Sequence, residues 1–329
     1  MSNNCVFWVW SIGDFTLFLE ISLLANLDCI WTMPKRNWKR INEALVRRGE
    51  LLLDLDFVKG WEKELEAMNE DKEGARFRYP DSFIRLLLFM HAYLHLPYRQ
   101  LEGFTKALAR YVKGLRPPDH SSIQWRAEKL PIKLDNAVMH SNEDVIIAVD
   151  ATGVKVSNRG DWMRHQWKRR RGFLKIHIAV DVKEKRILSF QVTDERVGDG
   201  RMLEPLVEEA SEKAGVVETL GDGAYDTSRN FLYLAQKRIR PCIKARRPTR
   251  GKPSGCITRK LAIQQYLSDP EGWKRDHSYG RRWMAETTIS SYKRMFGEHV
   301  SAKKMTNMIR ELTTKANLYN LFIGLTANL

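Results

Sequence analysis

The sequence predicts an α/β domain, a mixed sheet covered by helices on both faces, preceded by a smaller helical module. Three observations carry this. The apolar, β-branched run Val145 to Val149 reads as a central strand that continues through Asp150 and Ala151 to Val156. Behind it come two more strand-like runs, then helix-like and strand-like stretches in alternation. Ahead of it the apolar residues Phe83, Leu86, Leu87 and Met90 keep helical spacing instead.

Taken in order, Asp81 to Leu96 reads as a strongly apolar helix stopped by Pro97, and Tyr98 to Gly114 as the next. Pro117-Pro118-Asp119-His120-Ser121-Ser122 supplies a turn and an N-cap for a helix over Ser121 to Leu130. Two short helices across a turn, the second carrying Gln124, Trp125, Arg126 and Lys129, suggest a helix-turn-helix-like DNA reader. Ordinary helical bundles share that pattern.

The second half opens with the Asp150 strand and a polar, basic connection from Asn158 to Arg171 that contains Trp162 and Trp167. A strand over Phe173 to Asp181, a turn at Val182 to Lys185 and a strand over Arg186 to Thr193 complete a three-stranded meander. Met202 to Ala214 has helical spacing, with Gly215 as its stop. A fourth strand from Val216 ends in Gly221-Asp222-Gly223, where small residues let the backbone approach a ligand. Asp226 is placed to cap a helix over Ser228 to Lys237. A short strand at Arg240 to Lys244, a basic loop from Ala245 to Lys260 and a helical stretch at Leu261 to Tyr266 follow. Ser278 to Phe296, ended by Gly297, and Met305 to Leu325 read as the last two helices.

The most specific segment is Tyr279-x2-Arg282-x3-Glu286-x6-Lys293. On one α-helix these positions fall within an arc of about 60°. Basic and phenolic groups flanking one carboxylate suit a metal ion held against a phosphate, the carboxylate taking the cation and Arg282 and Lys293 the phosphate oxygens. Tyr279 serves as a hydrogen-bond donor or as packing support. Asp150, inside a strand, is costly to desolvate without a cation or an open site. Asp222, at the end of the fourth strand, is a further ligand candidate.

Asp150, Asp222 and Glu286, with the Tyr-Arg-Glu-Lys helix, resemble the acidic triad of the DDE transposases of prokaryotic insertion sequences, most closely the superfamily grouped around insertion sequences four and five. The blocks Ile147-Ala148-Val149-Asp150-Ala151-Thr152-Gly153, Lys175-Ile176-His177-Ile178-Ala179-Val180-Asp181 and Gly221-Asp222-Gly223-Ala224-Tyr225-Asp226 carry the likeness as well, which extends from Arg76 to Leu325. It implies a ribonuclease H-like catalytic core, with the first Asp on the first strand, the second just after the fourth strand and the Glu on a later helix. It also implies cutting at terminal inverted repeats, strand transfer into target DNA, and work as a homodimer.

Composition agrees with a nucleic-acid partner. The 329 residues carry 55 Lys+Arg against 40 Asp+Glu, a formal charge of +15. Arg169, Arg170 and Arg171 beside Lys168, and Arg246 and Arg247 between Lys244 and Arg250, lie in the catalytic half and are candidate DNA contacts; each run taken alone reads as a solvated loop. Cys5, Cys29, Cys242 and Cys256 show no C-x2-C pairing, so neither a zinc finger nor a disulfide framework is expected, in keeping with a reduced, cytoplasmic protein. Val6 to Trp31 is apolar but interrupted by Asp14, Glu20 and Asp28, a poor membrane span and a poor signal peptide. The expected organisation is an apolar extension over residues 1–32, with translation starting at Met33, a helical DNA-binding module over 33–140 and the catalytic domain over 141–329.

No activated protein nucleophile is apparent, and His177 and His277 have no obvious partners in sequence, so the attacking group is expected to be water or a DNA 3′-hydroxyl. Asp150, Asp222 and Glu286 would hold two Mg2+ ions about 4 Å apart, with Mn2+ able to substitute. The expected activity is a DNA transposase acting on double-stranded DNA. A ribonuclease H-like nuclease that does not join strands, or an inactive DNA-binding derivative, would share most of these residues.

Overall fold

The computed structural model describes residues 37–134, 144–156, 172–246 and 254–327. From Arg40 onward the described residues form one compact unit. The N-terminal part is helical, as expected: α1 (Trp38–Leu52), α2 (Asp56–Asn69), α3 (Asp81–Leu94), α4 (Tyr98–Leu108) and α5 (His120–Lys129). Trp61 of α2, Phe83 and Leu87 of α3, Leu101 of α4 and Ile123 of α5 share one buried cluster. The helix read as running to Gly114 stops at Leu108, and α3 ends where His95 turns left-handed at φ 55° ahead of Pro97. The boundary expected after residue 140 falls outside the described residues.

The rest of the chain is built on five strands, β1 (Asp144–Lys155), β2 (Phe173–Asp181), β3 (Ile187–Asp194), β4 (Gly215–Gly221) and β5 (Arg240–Ile243). Their order is β3-β2-β1-β4-β5. β1, β2 and β3 pair antiparallel, whereas β4 lies parallel to β1 and β5 parallel to β4. This mixed sheet, a three-stranded meander extended by parallel crossovers, has the ribonuclease H-like arrangement implied by the resemblance.

Both faces are covered because the central strands are apolar on both sides. Val145, Ile147 and Val149 of β1 pack on one face against α6 (Leu203–Ser211) and α7 (Ser228–Gln236), through Leu206, Val207 and Phe231. α8 (Ile257–Ser268) packs beside α7, and the other face receives α9 (Pro270–Asp276), α10 (Trp283–Phe296) and α11 (Met305–Ala327). There Ile176, Ile178 and Val180 of β2 meet Phe296 of α10 and Tyr319 and Phe322 of α11. Tyr93 of α3 meets Phe322 edge-on at 5.1 Å, which seats the helical module on the core.

Three differences from the sequence reading have local causes. α8 starts at Ile257, inside the stretch read as loop, because Cys256 stands at its N-cap and gives no side-chain signal. α9 was not anticipated, although Asp269 caps it by accepting the Gly272 N–H at 2.8 Å and Pro270 occupies its first turn. Asp226 does not cap α7. Thr227 does so, accepting the Asn230 N–H at 3.2 Å, while buried Asp226 pairs with Arg259 at 2.8 Å and accepts the Arg246 N–H.

Candidate active site

β1 outruns its parallel neighbour. Their pairing ends at Ala148 opposite Leu220, so β1 continues to Asp150 where β4 gives way to Asp222. The ends of parallel strands where chain direction changes are the usual place for a ligand crevice in such sheets. Asp150, half-buried and opposite Ile178 of β2, accepts the Ala151 N–H at 2.9 Å. Burial pushes its carboxyl above the ordinary value; the Ala151 N–H and the Arg282 guanidinium oppose the shift, and the charges of Asp222 and Glu286 add to it. Asp222 and Glu286, from different elements, thus both act on Asp150.

Asp222 accepts the Ala224 N–H at 2.8 Å and caps a single 3-10 turn, Gly223–Tyr225. The flanking glycines allow a close approach. A Cβ at Gly221 would lie 3.3 Å from the Tyr225 ring and 3.4 Å from Val149, and one at Gly223 would meet Arg246 Cγ at 3.2 Å. Arg246 therefore lies against the residue that follows Asp222, with its side chain exposed.

Glu286 sits exposed in the first turn of α10 and accepts a hydrogen bond from Arg282. The single helical face expected for Tyr279, Arg282, Glu286 and Lys293 is interrupted. Ser278 is left-handed at φ 45°, Tyr279–Arg282 forms a 3-10 turn, and the α-helix begins only at Trp283. In the tighter turn Tyr279 points inward, packs on Trp273 at 5.3 Å and donates to the Gly221 carbonyl at 3.1 Å. Of the sequence alternatives for Tyr279, the structure has donor and packing support together. Lys293, Glu286 and Asp150 line one open cleft of about 500 Å³, with Thr152 and Ser290; Asp222 lies outside its lining.

Arg169, Arg170, Arg171 and Arg247, together with Trp162 and Trp167, lie outside the described residues. In the helical module Gln124, Trp125 and Lys129 are exposed on α5. Arg126 is not available to DNA: it is 5% exposed, bonded to Asp81 and stacked on Phe77 at 4.1 Å.

Sequence reasoning missed a polar cluster on the opposite face of the sheet. His177, beside Ala151 in register, reaches Thr193 Oγ1 through Nε2 at 2.8 Å, and Lys175 donates to Asp199 at 2.8 Å. Burial pulls His177 down to about 4. The buried Tyr225 hydroxyl has no hydrogen-bond partner among the described residues, and burial, Asp150, Asp199 and Asp222 all push it far up. The alternation of Lys175 and His177 with apolar residues was the one visible signal, and it does not name Asp199.

Residues 141–321 match a family model described as a transposase DDE domain, and a second model with the same description matches residues 46–159. Among solved structures, the chain is similar to the piggyBac transposase synaptic complex with hairpin DNA, at 13% identity over 88% of this chain and 76% of that chain, with a TM-score of 0.35. It is also similar to the Drosophila P element transposase strand transfer complex, at 12% identity over 83% of this chain and 70% of that chain, with a TM-score of 0.32. Among the described residues no helix is long and apolar enough to cross a membrane. The family match spans more than half of the sequence, and the chain therefore belongs to the DDE transposases, metal-dependent enzymes that break and rejoin DNA.

Proposed function

We propose that this transposase cuts double-stranded DNA at the terminal inverted repeats of its mobile element and joins the freed 3′-hydroxyl ends to target DNA, with Asp150, Asp222 and Glu286 as its catalytic carboxylates. The observation that carries the reading is placement: Asp150 and Glu286, from β1 and α10, line one cleft, and Asp222 follows the end of β4, whose pairing with β1 stops two residues before Asp150.

The donor set fits divalent Mg2+, with Mn2+ as a substitute. All three groups offer carboxylate oxygens, the ligands a hard cation takes. Desolvated Asp150 has one backbone hydrogen bond and no cationic partner within ion-pair distance among the described residues. Two bound ions would supply the Lewis acidity that a reaction without a protein nucleophile needs.

Arg282 and Lys293 flank Glu286 and would hold phosphate oxygens near the cleft, with Arg246 doing so beside Asp222. Tyr279 acts through the Gly221 carbonyl, holding the end of β4 in place. The module over residues 33–140 would read the DNA ends through exposed Gln124, Trp125 and Lys129, and two chains would hold two ends as a homodimer. A cytoplasmic location accords with DNA as substrate.

The test is a strand-mapped cleavage assay on a plasmid carrying the DNA that flanks the gene, with Mg2+ or EDTA and with Glu286→Gln as control. Metal-dependent, Glu286-dependent breaks that leave 3′-hydroxyls at matching inverted ends are expected. Breaks without joining of a pre-cut end would favour a nuclease, and DNA binding without any breaks an inactive derivative.

A further inference from the structure

The edge of the sheet holds a second group of ligand-type side chains, unconnected with the carboxylates above. Glu218 on β4, Cys242 on the neighbouring β5 and His277 just after α9 bring one ligand atom each within 4.8 Å of the others. Glu218 is 6% and Cys242 0% exposed. Among the described residues this is the grouping of three acidic, histidine or cysteine side chains tight enough to meet on one ion. We propose that Glu218, Cys242 and His277 form a zinc site.

The first argument is unmet polarity. Glu218 Oε1 and His277 Nδ1 are both buried, and neither has a hydrogen-bond partner among the described residues. They face each other at 3.8 Å, too far for a hydrogen bond. Cys242 Sγ has only a long contact to the His277 carbonyl at 3.9 Å. Buried polar atoms left in this way are costly, and one cation between them would satisfy all three.

The second argument is donor chemistry. A thiolate, an imidazole and a carboxylate are the mixed donors that zinc takes and that Mg2+ does not. On binding, Zn2+ would replace the Cys242 Sγ proton, which leaves to solvent. The thiolate and the Glu218 carboxylate then balance the two positive charges of the ion.

The third argument is placement. Zinc bonds of about 2.0–2.3 Å put tetrahedral donors about 3.3–3.8 Å apart, so the group needs only a small closure. The His277 ring is oriented by its tilted contact with Trp273, ring centroids 4.6 Å apart. Arg240 and Arg281 stand 3.8 and 4.0 Å from the Glu218 carboxylate, beyond hydrogen-bond reach, and their side chains are 54% and 41% exposed. They can withdraw to solvent when an ion takes their place. His277 lies two residues before Tyr279, so the ion would clamp β4 and β5 to the turn that leads into α10. Its role is to hold the strand end that precedes Asp222 against the helix that carries Glu286.

Cobalt substitution in the full-length chain tests the site, using a Glu286→Gln background to weaken metal binding at the carboxylate triad and reading the thiolate band, which carboxylates cannot give. Co2+ should give thiolate-to-cobalt absorption in the near ultraviolet and strong visible bands. Both should persist when Cys5, Cys29 and Cys256 are changed to Ser together and vanish in Cys242→Ser. Zn2+ affinity, measured by competition with a chromophoric chelator, should weaken by more than about tenfold in His277→Asn. A folded protein without the thiolate band, or a band that survives Cys242→Ser, overturns the site. If Cys242→Ser does not fold, the folded His277→Asn variant decides, and unchanged Zn2+ affinity there refutes the proposal.

Discussion

The hydroxyl of Tyr279 donates to the carbonyl oxygen of Gly221 at 3.1 Å, tying the turn that leads into α10 to the last residue of β4. The Lys244 N–H donates to the same oxygen at 3.1 Å, so the residue before Asp222 is held from two sides. Burial pushes the Tyr279 phenol well above its ordinary value, which keeps it a donor at any working pH. Tyr279→Phe preserves the ring against Trp273 and removes only this bond. It should cost about 1 kcal/mol in a denaturant titration and slow strand cleavage while DNA retention stays unchanged. Cleavage at the wild-type rate would confine the bond to stability.

Asp150 gives stability a pH dependence of definite sign. Its carboxyl holds a proton more tightly in the folded chain than in the unfolded one, chiefly through burial. Its contribution is therefore complete below the ordinary carboxylate value of 3.8 and is lost as pH rises through the raised value. In metal-free protein, Asp150→Asn should melt higher than wild type at pH 7, and the gap should close as the pH falls below 4. Mg2+ should raise the melting temperature of wild type and leave the variant nearly unmoved. Equal Mg2+ stabilisation of both would remove Asp150 from the metal site.

His177 acts in the opposite direction along the pH axis. Burial lowers it from 6.5 to about 4, so the folded state refuses a proton that the unfolded chain accepts. Stability is full above 6.5 and falls as pH drops toward 4, by up to about 3 kcal/mol. His177→Gln retains a partner for Thr193 and cannot titrate. Its stability should be flatter than wild type between pH 6.5 and 4 in parallel urea titrations. Identical slopes would show that other groups govern the acid limb.

Arg126 and its neighbours on α5 separate stability from recognition. Arg126 is buried against Asp81 and Phe77, so Arg126→Met should cost roughly 1–3 kcal/mol of folding stability, since Asp81 keeps partial access to water. Below its melting temperature the variant should bind DNA ends as wild type does. Gln124→Ala with Lys129→Ala should leave melting unchanged and weaken end binding in a mobility-shift assay. If both variants bind normally, α5 is an ordinary bundle helix.

These contrasts show where sequence periodicity stops informing. It tells which face of an element is buried, and so β2 was read at its observed limits, Phe173–Asp181. The placement of Asp150 on the first strand, Asp222 after the fourth and Glu286 on a late helix was legible for the same reason. Periodicity does not tell which partner a polar residue meets across the fold. Arg126 shares the inward side of α5 with buried Ile123 and Leu130, and its pairing there with Asp81, far off in sequence, is not written in the periodicity. Asp226 sits where a cap belongs, but Arg259 claims it once α8 packs against α7. His277 and Glu218 are brought together only by the arrival of α9 at the sheet edge.

Lys293 offers the most direct test of DNA engagement at the cleft. It is half-buried on α10 and lines the same cleft as Asp150 and Glu286, and its ammonium has no hydrogen bond or ion pair among the described residues. A lysine without a protein partner beside two carboxylates is free to take a phosphate oxygen. Lys293→Ala should therefore leave melting and Mg2+ stabilisation intact. It should weaken DNA retention and strand joining by about tenfold, the worth of one charge-assisted contact. The plot of log affinity against log salt should become shallower by about one unit, because one fewer counterion is released. A salt slope identical to wild type would place Lys293 on a solvated helix face with no part in holding DNA.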